Sequence, residues 1–500
     1  MSVDTPAWVR DAIFYQIFPD RFAASERVLK PGRLEPWDAP PTYTGFKGGD
    51  LRGITEHLDY LDDLGINALY LTPVFQSASN HRYHTFDYFE VDPLLGGNDA
   101  LHELLDAAHG RGMRVVLDGV FNHTGRGFWP FHHILETGAM SPYRDWFVLD
   151  DGRLDAGLPL VAYPPPDAPQ HAEGYEAWWG LPALPKLNTD HPEVREYIFS
   201  VGEFWLQRGI DGWRLDVPQE IDDEGFWQEF RRRCRSIRSD AYLVGEIWGV
   251  APDWLRGDRF DAVMNYPLGE AILSLAGGSH LDMDVVRQQS EYAHSIYPHD
   301  AAEFQRRVEA LSVAYDPDVV AVQLNLLGSH DAPRMRTVLG DTAGVRLATL
   351  LQATLPGAPC VYYGDEVGMQ GGVDPANRGG FPWDESRWEP GLRDGIRAVL
   401  KARGAESALR DGPVRFLWAE GSAVAYERGE GASRFVIAVN AADEAATIHV
   451  PIDGDVPPDR PLRLDPVDLP GFGVIDASAV AGGSATLVLA PRSGGLFRIV

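Results

Sequence analysis

Residues 191–217 read HPEVREYIFSVGEFWLQRGIDGWRLDV. The first part spaces Val194, Tyr197, Ile198, Val201, Phe204 and Trp205 along one helical face, with Pro192 suited to the first turn and Gly209 to the end. The second part, Gly212–Leu215, is a short apolar strand that runs directly into Asp216. A helix followed by a short, continuously apolar strand is one step of an alternating chain whose parallel sheet is buried on both faces. The same alternation extends both ways. The other strand candidates are Ile13–Ile17, Ala68–Leu71, Arg114–Leu117, Tyr242–Val244, Ala262–Met264, Val322–Leu326 and Cys360–Tyr362. Between them lie amphipathic runs, such as the one carrying Leu347, Leu350, Leu351 and Leu355. Eight strands with intervening helices predict an α/β fold, a (β/α)8 TIM barrel.

Two connections are too long to be turns. Residues 122–187 separate the third strand from its helix and hold the cluster YPPPDAP (163–169) with many aromatics. Such a length is usually functional, and it predicts a small inserted domain over one rim of the barrel. A second excursion, about 266–315, precedes the seventh strand, and the insert and this excursion together are expected to narrow the cleft. After about residue 410 the pattern changes to SAVAYERG, SRFVIAVN, ATIHV, ATLVLA and GLFRIV, separated by turn residues. These segments predict a C-terminal antiparallel β-sandwich. The expected boundaries are 1–121 with 188–408 for the barrel, 122–187 for the inserted domain B and 409–500 for the sandwich.

Composition narrows the partners. The chain has 500 residues, 44 Lys and Arg against 73 Asp and Glu, and a net charge of −29. That excludes nucleic acid and anionic membrane surfaces as expected partners, since both need clustered cations. No stretch approaches the ~20 apolar residues of a membrane span. Two cysteines, Cys234 and Cys360, exclude a disulfide framework and are expected to be buried thiols. The N-terminus has no basic region ahead of an apolar run, so a cytoplasmic location is expected.

In a barrel of this type the site lies where the strands end at their C-terminal side. The third strand ends RVVLDGVFNH (114–123), bringing Asp118, Asn122 and His123. The fourth brings Arg214 and Asp216, the fifth brings Glu246 in YLVGEIW (242–248), and the seventh brings His330 and Asp331 in NLLGSHD (325–331). One such acid is commonly a cap or a surface group; four in register on different strands are not. Clustered carboxylates, with neither a thiolate set nor a Gly-rich phosphate loop, suit glycoside hydrolysis. One carboxylate attacks or stabilises the anomeric carbon, while a second, kept protonated, donates to the leaving oxygen. Asp216 and Glu246 end adjacent strands, which favours the short separation of retaining enzymes. Arg214 stands two residues before Asp216, on the same side of the strand, and is expected to hold it ionised.

These blocks, DGVFNH, GWRLDVPQE, VGEIW and NLLGSHD, resemble those of glycoside hydrolase family 13, the α-amylase family. LPKLN (184–188), WVRDAIFYQIFPDRF (8–22), YEAWWG (175–180) and WLRGDRFDAVMNYP (254–267) resemble its neopullulanase, cyclomaltodextrinase and maltogenic amylase subgroup. The resemblance implies a retaining hydrolase of α-1,4-linked, and also α-1,6-linked, glucans such as maltooligosaccharides, cyclodextrins or pullulan. It implies Asp216 as nucleophile, Glu246 as general acid/base and Asp331 as transition-state stabiliser, with His123 and His330 as hydroxyl donors. In NHRYHTFDYFEVDP (80–93) it implies His81 as a hydroxyl contact and Tyr83 as a ring platform; in GGVDPANRGGFPW (371–383) it implies Asp374 and Arg378 as a pair gripping the sugar further from the cut. Trp248, two residues past the acid, is expected on the leaving-group side. For Trp178 and Trp179, a sugar groove and the packing of a small domain are equally open.

Two departures stand out. Many relatives begin with a separate β-rich module, whereas here the barrel pattern starts within the first dozen residues, so that module is expected to be absent and the oligomeric state is open. Asn122 matches one ligand of the family's common calcium site, but Glu220 stands where many members place a histidine, and DRFAASER (20–27) replaces an early Asn-Gly-Asp ligand cluster. No oxygen set for a hard cation can be assembled from these positions, so no required metal or other cofactor is expected. Two competing functions remain on sequence alone. A transferase or isomerase would use the same site, and a non-catalytic sugar-binding protein would not need the complete acid set.

Overall fold

The computed structural model describes residues 3–165, 167–168, 173–223, 225–452, 462–478 and 483–500; Pro166 and Pro169 of the proline cluster lie outside them. Eight parallel strands, Phe14–Ile17, Ala68–Leu71, Arg114–Gly119, Gly212–Leu215, Tyr242–Gly245, Ala262–Val263, Leu324–Leu326 and Ala358–Tyr362, pair in the order 6-5-4-3-2-1-8-7. A parallel bridge between Met264 and Leu324 joins the two ends. The sixth strand is only two residues long, so side chains complete this seam. Gln323 Oε1 accepts from Val263 N at 2.9 Å, and Asn265 Nδ2 donates to Asn325 Oδ1 at 2.8 Å. This shortness is why Met264, expected within the strand, forms only the bridge.

The two faces of each strand build two separate cores. Phe14, Ala68, Tyr70, Val116, Tyr242, Val244, Met264, Leu324 and Cys360 fill the barrel interior. Leu69, Leu71, Val115, Leu117, Trp213 and Leu243 pack outward against the helices. Gly212 allows two neighbouring strands to approach, since a Cβ there would lie 2.2 Å from the Tyr242 carbonyl.

The helix expected from the opening stretch spans Pro192–Gln207, with Pro192 at its first turn and Trp205 fully buried. The helix carrying Leu347, Leu350 and Leu351 spans Thr342–Thr354 and is capped by Asp341, which accepts from Gly344 N at 2.6 Å. Leu355 falls just past its end. Within 122–187, a helix Trp129–Thr137 and isolated bridges such as His123 to Lys186 and Phe147 to Leu187 form a compact excursion on the C-terminal side of the barrel. The 266–315 excursion holds the helices Tyr266–Gly277 and Ala301–Ala314 with three short helical turns between them, Gly278–His280, Met283–Val286 and Tyr292–Ser295. A hairpin, Phe75–Ser77 with Thr85–Val91, follows the second strand and was not foreseen.

The C-terminal part is an antiparallel sandwich of a five-stranded and a three-stranded sheet. Ala425, Val436 and Phe497 from one sheet meet Ile448, Leu487 and Leu489 from the other. All five expected segments are strands; Val414–Glu420, Leu464–Pro466 and Ile475–Ala477 join them. Among the described residues, no helix is long and apolar enough to cross a membrane.

Candidate active site

The acids expected at the strand ends converge on one guanidinium. Arg214 is fully buried. Its Nη1 lies 2.8 Å from Asp118 Oδ1 and 3.0 Å from Asp216 Oδ1, and its Nη2 lies 2.9 Å from Glu246 Oε2. Register explains the convergence. Asp118 pairs with Arg214 across the third and fourth strands, and Arg214 with Val244 across the fourth and fifth, so the next inward position on that strand is Glu246. Val217, at φ +34, aims its backbone N–H at Glu246 Oε2, 3.1 Å away.

Asp331 completes the group from the seventh strand. Its Oδ2 lies 3.0 Å from His330 Nε2 and its Oδ1 3.2 Å from Arg378 Nη2. Arg378 is held in turn by Asp374 at 3.0 Å and donates from Nε to the His330 carbonyl at 2.8 Å. The Asp374–Arg378 pair is therefore built into the site rather than being an isolated surface ion pair.

The second strand and its hairpin supply the remaining wall. Tyr83 Oη donates to Asp118 Oδ2 at 2.9 Å, and the Tyr83 ring stacks on His330 with 6° between planes. His81 Nδ1 accepts from Tyr83 N at 3.2 Å, leaving Nε2 for another partner. The His123 ring stacks on Trp178 at 5.2 Å, and its buried Nε2 has no hydrogen-bond partner among the described residues. Trp248 stacks on Tyr266 at 3.7 Å, so one face is already covered.

Charge and burial set the protonation. Burial pushes Glu246 up to about 7, with Asp331 adding to the push and Arg214 opposing it. Burial, aided by Glu246, Asp118 and Asp331, also raises Asp216 well above the ordinary carboxylate range. Arg214 pulls Asp216 down, but one guanidinium serves three carboxylates, so the expected hold on Asp216 is only part of the balance. The protons belong to the cluster as a whole, and its excess negative charge favours keeping at least one. Asp331 is lowered despite its burial, by His330 and Arg378. Burial lowers His123 and His330 to about 3 and His81 well below its usual value, so all three are neutral imidazoles near pH 7.

Sequence reasoning missed several supports. Tyr70 Oη donates to Asp118 Oδ2 at 2.9 Å, and Gln16 Nε2 lies 2.9 Å from His330 Nδ1. Both occupy inward positions on their strands, a period-two signal that was available. Asn377, whose Nδ2 donates to the His330 and Ala332 carbonyls at 2.8 and 2.9 Å, gave no such signal because it lies in a loop.

A hard cation does not fit the residues present. Asn122 Oδ1 is buried without a partner, but Glu220 is exposed in a short turn. Near DRFAASER, both oxygens of the buried Asp50 are engaged: Gly53 N donates to one at 2.7 Å, Ser25 N to the other at 2.9 Å. Lys30 Nζ also reaches that second oxygen at 2.9 Å and the Leu94 carbonyl at 2.7 Å. The chain's own ammonium thus supplies a cation there. Among the described residues, no group of three or more His, Cys, Asp and Glu is arranged to hold a metal.

The family profile described as "Alpha amylase, catalytic domain" matches residues 16–407. The chain belongs to the α-amylase family. It is a glycoside hydrolase, and the acid cluster lies where the strands of the family's barrel end. A cyclomaltodextrinase of Geobacillus thermopakistaniensis is 43% identical over 90% of this chain and 72% of its own length. Neopullulanase 2 of Thermoactinomyces vulgaris is 40% identical over 84% of this chain and 67% of its own. The solved debranching enzyme of Nostoc punctiforme is 45% identical, covers both chains fully and superposes with a TM-score of 0.86.

Proposed function

We propose that this α-amylase family member hydrolyses α-1,4-glucosidic bonds, and α-1,6 bonds as well, in short or cyclic α-glucans, with retention of anomeric configuration. The observation that carries it is the shared Arg214. It keeps Asp216 and Glu246 on either side of one guanidinium, the close placement that retention needs. The similarity to a cyclomaltodextrinase, a neopullulanase and a debranching enzyme supports the substrate class.

Asp216 attacks the anomeric carbon as Glu246 gives its proton to the departing glycosidic oxygen. That forms a glucosyl ester and releases the first sugar. Glu246, now a carboxylate, takes a proton from water as the water attacks the same carbon; the ester bond breaks and Asp216 is restored. Asp331, held ionised, stabilises the positive charge that develops on the ring. Neutral His81, His123 and His330 hold hydroxyls without adding a positive charge that would oppose it. Passage of the glucosyl unit to a sugar instead of water would make the same site a transferase. Cys234 and Cys360 are buried free thiols, which fits a reducing, cytoplasmic setting.

The test is a time-resolved product profile on maltotriose, cyclodextrins and pullulan, read by NMR. The α-anomer should form first, and Asp216→Asn should abolish turnover while leaving the fold intact. An initial β-anomer would contradict retention.

A further inference from the structure

Trp179 is 82% exposed, among the most exposed of the large hydrophobic side chains. It also holds a left-handed backbone, φ +54, which is strained for a bulky L-residue. Its surroundings keep it there. Trp178 N donates to the Leu184 carbonyl at 3.0 Å, Gly180 N to the Ala177 carbonyl at 2.9 Å, and Leu181 N to the Trp178 carbonyl at 3.0 Å. The turn therefore fixes a large apolar ring outside the core, at an energetic cost and with no burial to offset it.

The direction of the ring supplies the reason. Trp179 lies parallel to Trp178, with 6° between planes and 4.9 Å between centroids. Trp178 lies within 18° of parallel to His123, 5.2 Å away. One column of three rings thus runs outward from His123, which follows the third strand, to the exposed Trp179 in the 122–187 segment. One Trp179 face is used by Trp178 and the other is open. A rigid, flat, amphipathic face held in water suits the apolar face of a pyranose ring, whose hydroxyls stay solvated.

We propose that Trp179 is an outer sugar platform, which stacks a glucosyl unit remote from the scissile bond and so favours longer chains over shorter ones. This rests on the α-glucan reading of the acid cluster and adds a chain-length filter to it. A pre-set ring gives up little entropy on binding, which is what the strained turn secures.

The experiment compares kcat/KM for maltoheptaose with that for maltotriose in wild type, Trp179→Ala, Trp179→Asn and Trp179→Phe, with melting temperatures alongside. The long-to-short ratio should fall about five- to tenfold in the Ala and Asn variants and be largely kept in Phe. Asn tolerates the left-handed region, so Trp179→Asn should melt no lower than wild type. An unchanged ratio in an active Trp179→Ala enzyme overturns the platform alone. A lower melting temperature with equal losses on both chains also overturns it and makes Trp179 a structural residue. A wild type inert on both chains would overturn the parent reading and the platform with it.

Discussion

Glu246 shows how much one side chain depends on its surroundings. It is 5% exposed and sits beside Arg214, which lowers its pKa, and near Asp331, which raises it; burial decides the outcome at about 7. The acid form, which protonates the leaving oxygen, is present below that value and is lost as pH rises through it. Activity on natural glucans should therefore fall above about pH 7. Glu246→Gln should lose turnover of those substrates but still release one equivalent of aryl alcohol from activated aryl glycosides, whose leaving groups need no proton, and then turn over slowly because no base activates the water. A pH–rate profile on both substrate types reads the difference. A natural-substrate rate still rising past pH 8 would remove Glu246 from the acid role.

At the scale of elements, buried acids tie the strands together at the barrel's N-terminal end, where they serve stability. Asp211, just ahead of the fourth strand, accepts from Val115 N at 2.8 Å and pairs with His109 at 2.8 Å, Arg114 at 2.8 Å and Arg238 at 2.6 Å. Asp261, ahead of the sixth strand, takes the same part with Leu243 N, Arg231 and Arg235. Burial raises Asp211, but His109 and Arg114 outweigh it and the net shift is downward. Its contribution is thus present above the unfolded carboxylate value and lost as pH falls through the lower folded one. Asp211→Ala should cost about 1–3 kcal/mol at pH 7, because it leaves the buried Val115 N–H without an acceptor and three partly exposed cations without their shared carboxylate. Urea titrations at pH 7 and pH 3 should show that gap shrinking in acid. Lys30 makes a second element-scale case. Because its ammonium already neutralises Asp50, prolonged EDTA treatment should leave melting temperature and activity unchanged. A fall reversed by calcium would refute this.

Over the whole molecule, the sandwich is not an appendage. Val424, Tyr426, Phe435, Ile437, Val439 and Leu496 belong to the same apolar cluster as the helices around the barrel. Tyr426 Oη lies 2.6 Å from Thr354 Oγ1, and Arg403 and Arg428 donate to the Ala353 and Thr354 carbonyls at the end of the helix Thr342–Thr354. Gly494 lets sheet and helix meet, since a Cβ there would lie 2.9 Å from Leu347 and from Leu350. Calorimetry should therefore show barrel and sandwich melting in one transition. Gly494→Val should lower its temperature through overpacking worth about 1–3 kcal/mol. Two well-separated transitions would show the parts to be independent.

Much of the fold is legible in the sequence itself. Eight apolar runs with helical periods between them determine the barrel, and the period of two places Asp118, Arg214, Asp216 and Glu246 toward its interior end. The alternating C-terminal segments determine the sandwich. Some elements left no such mark. The strand Val414–Glu420 is only half-buried along its length, and the sixth strand is two residues long. What tertiary structure alone decided are quantities set by distance and burial between residues far apart in the chain. Arg214 is divided among three acids, Glu246 keeps its proton to about pH 7, Lys30 pairs with the buried Asp50, and Trp179 continues a ring column begun at His123. Local patterning records which face a residue turns to its neighbours. Coulomb and desolvation energies depend on who those neighbours are, and only the folded chain brings them together.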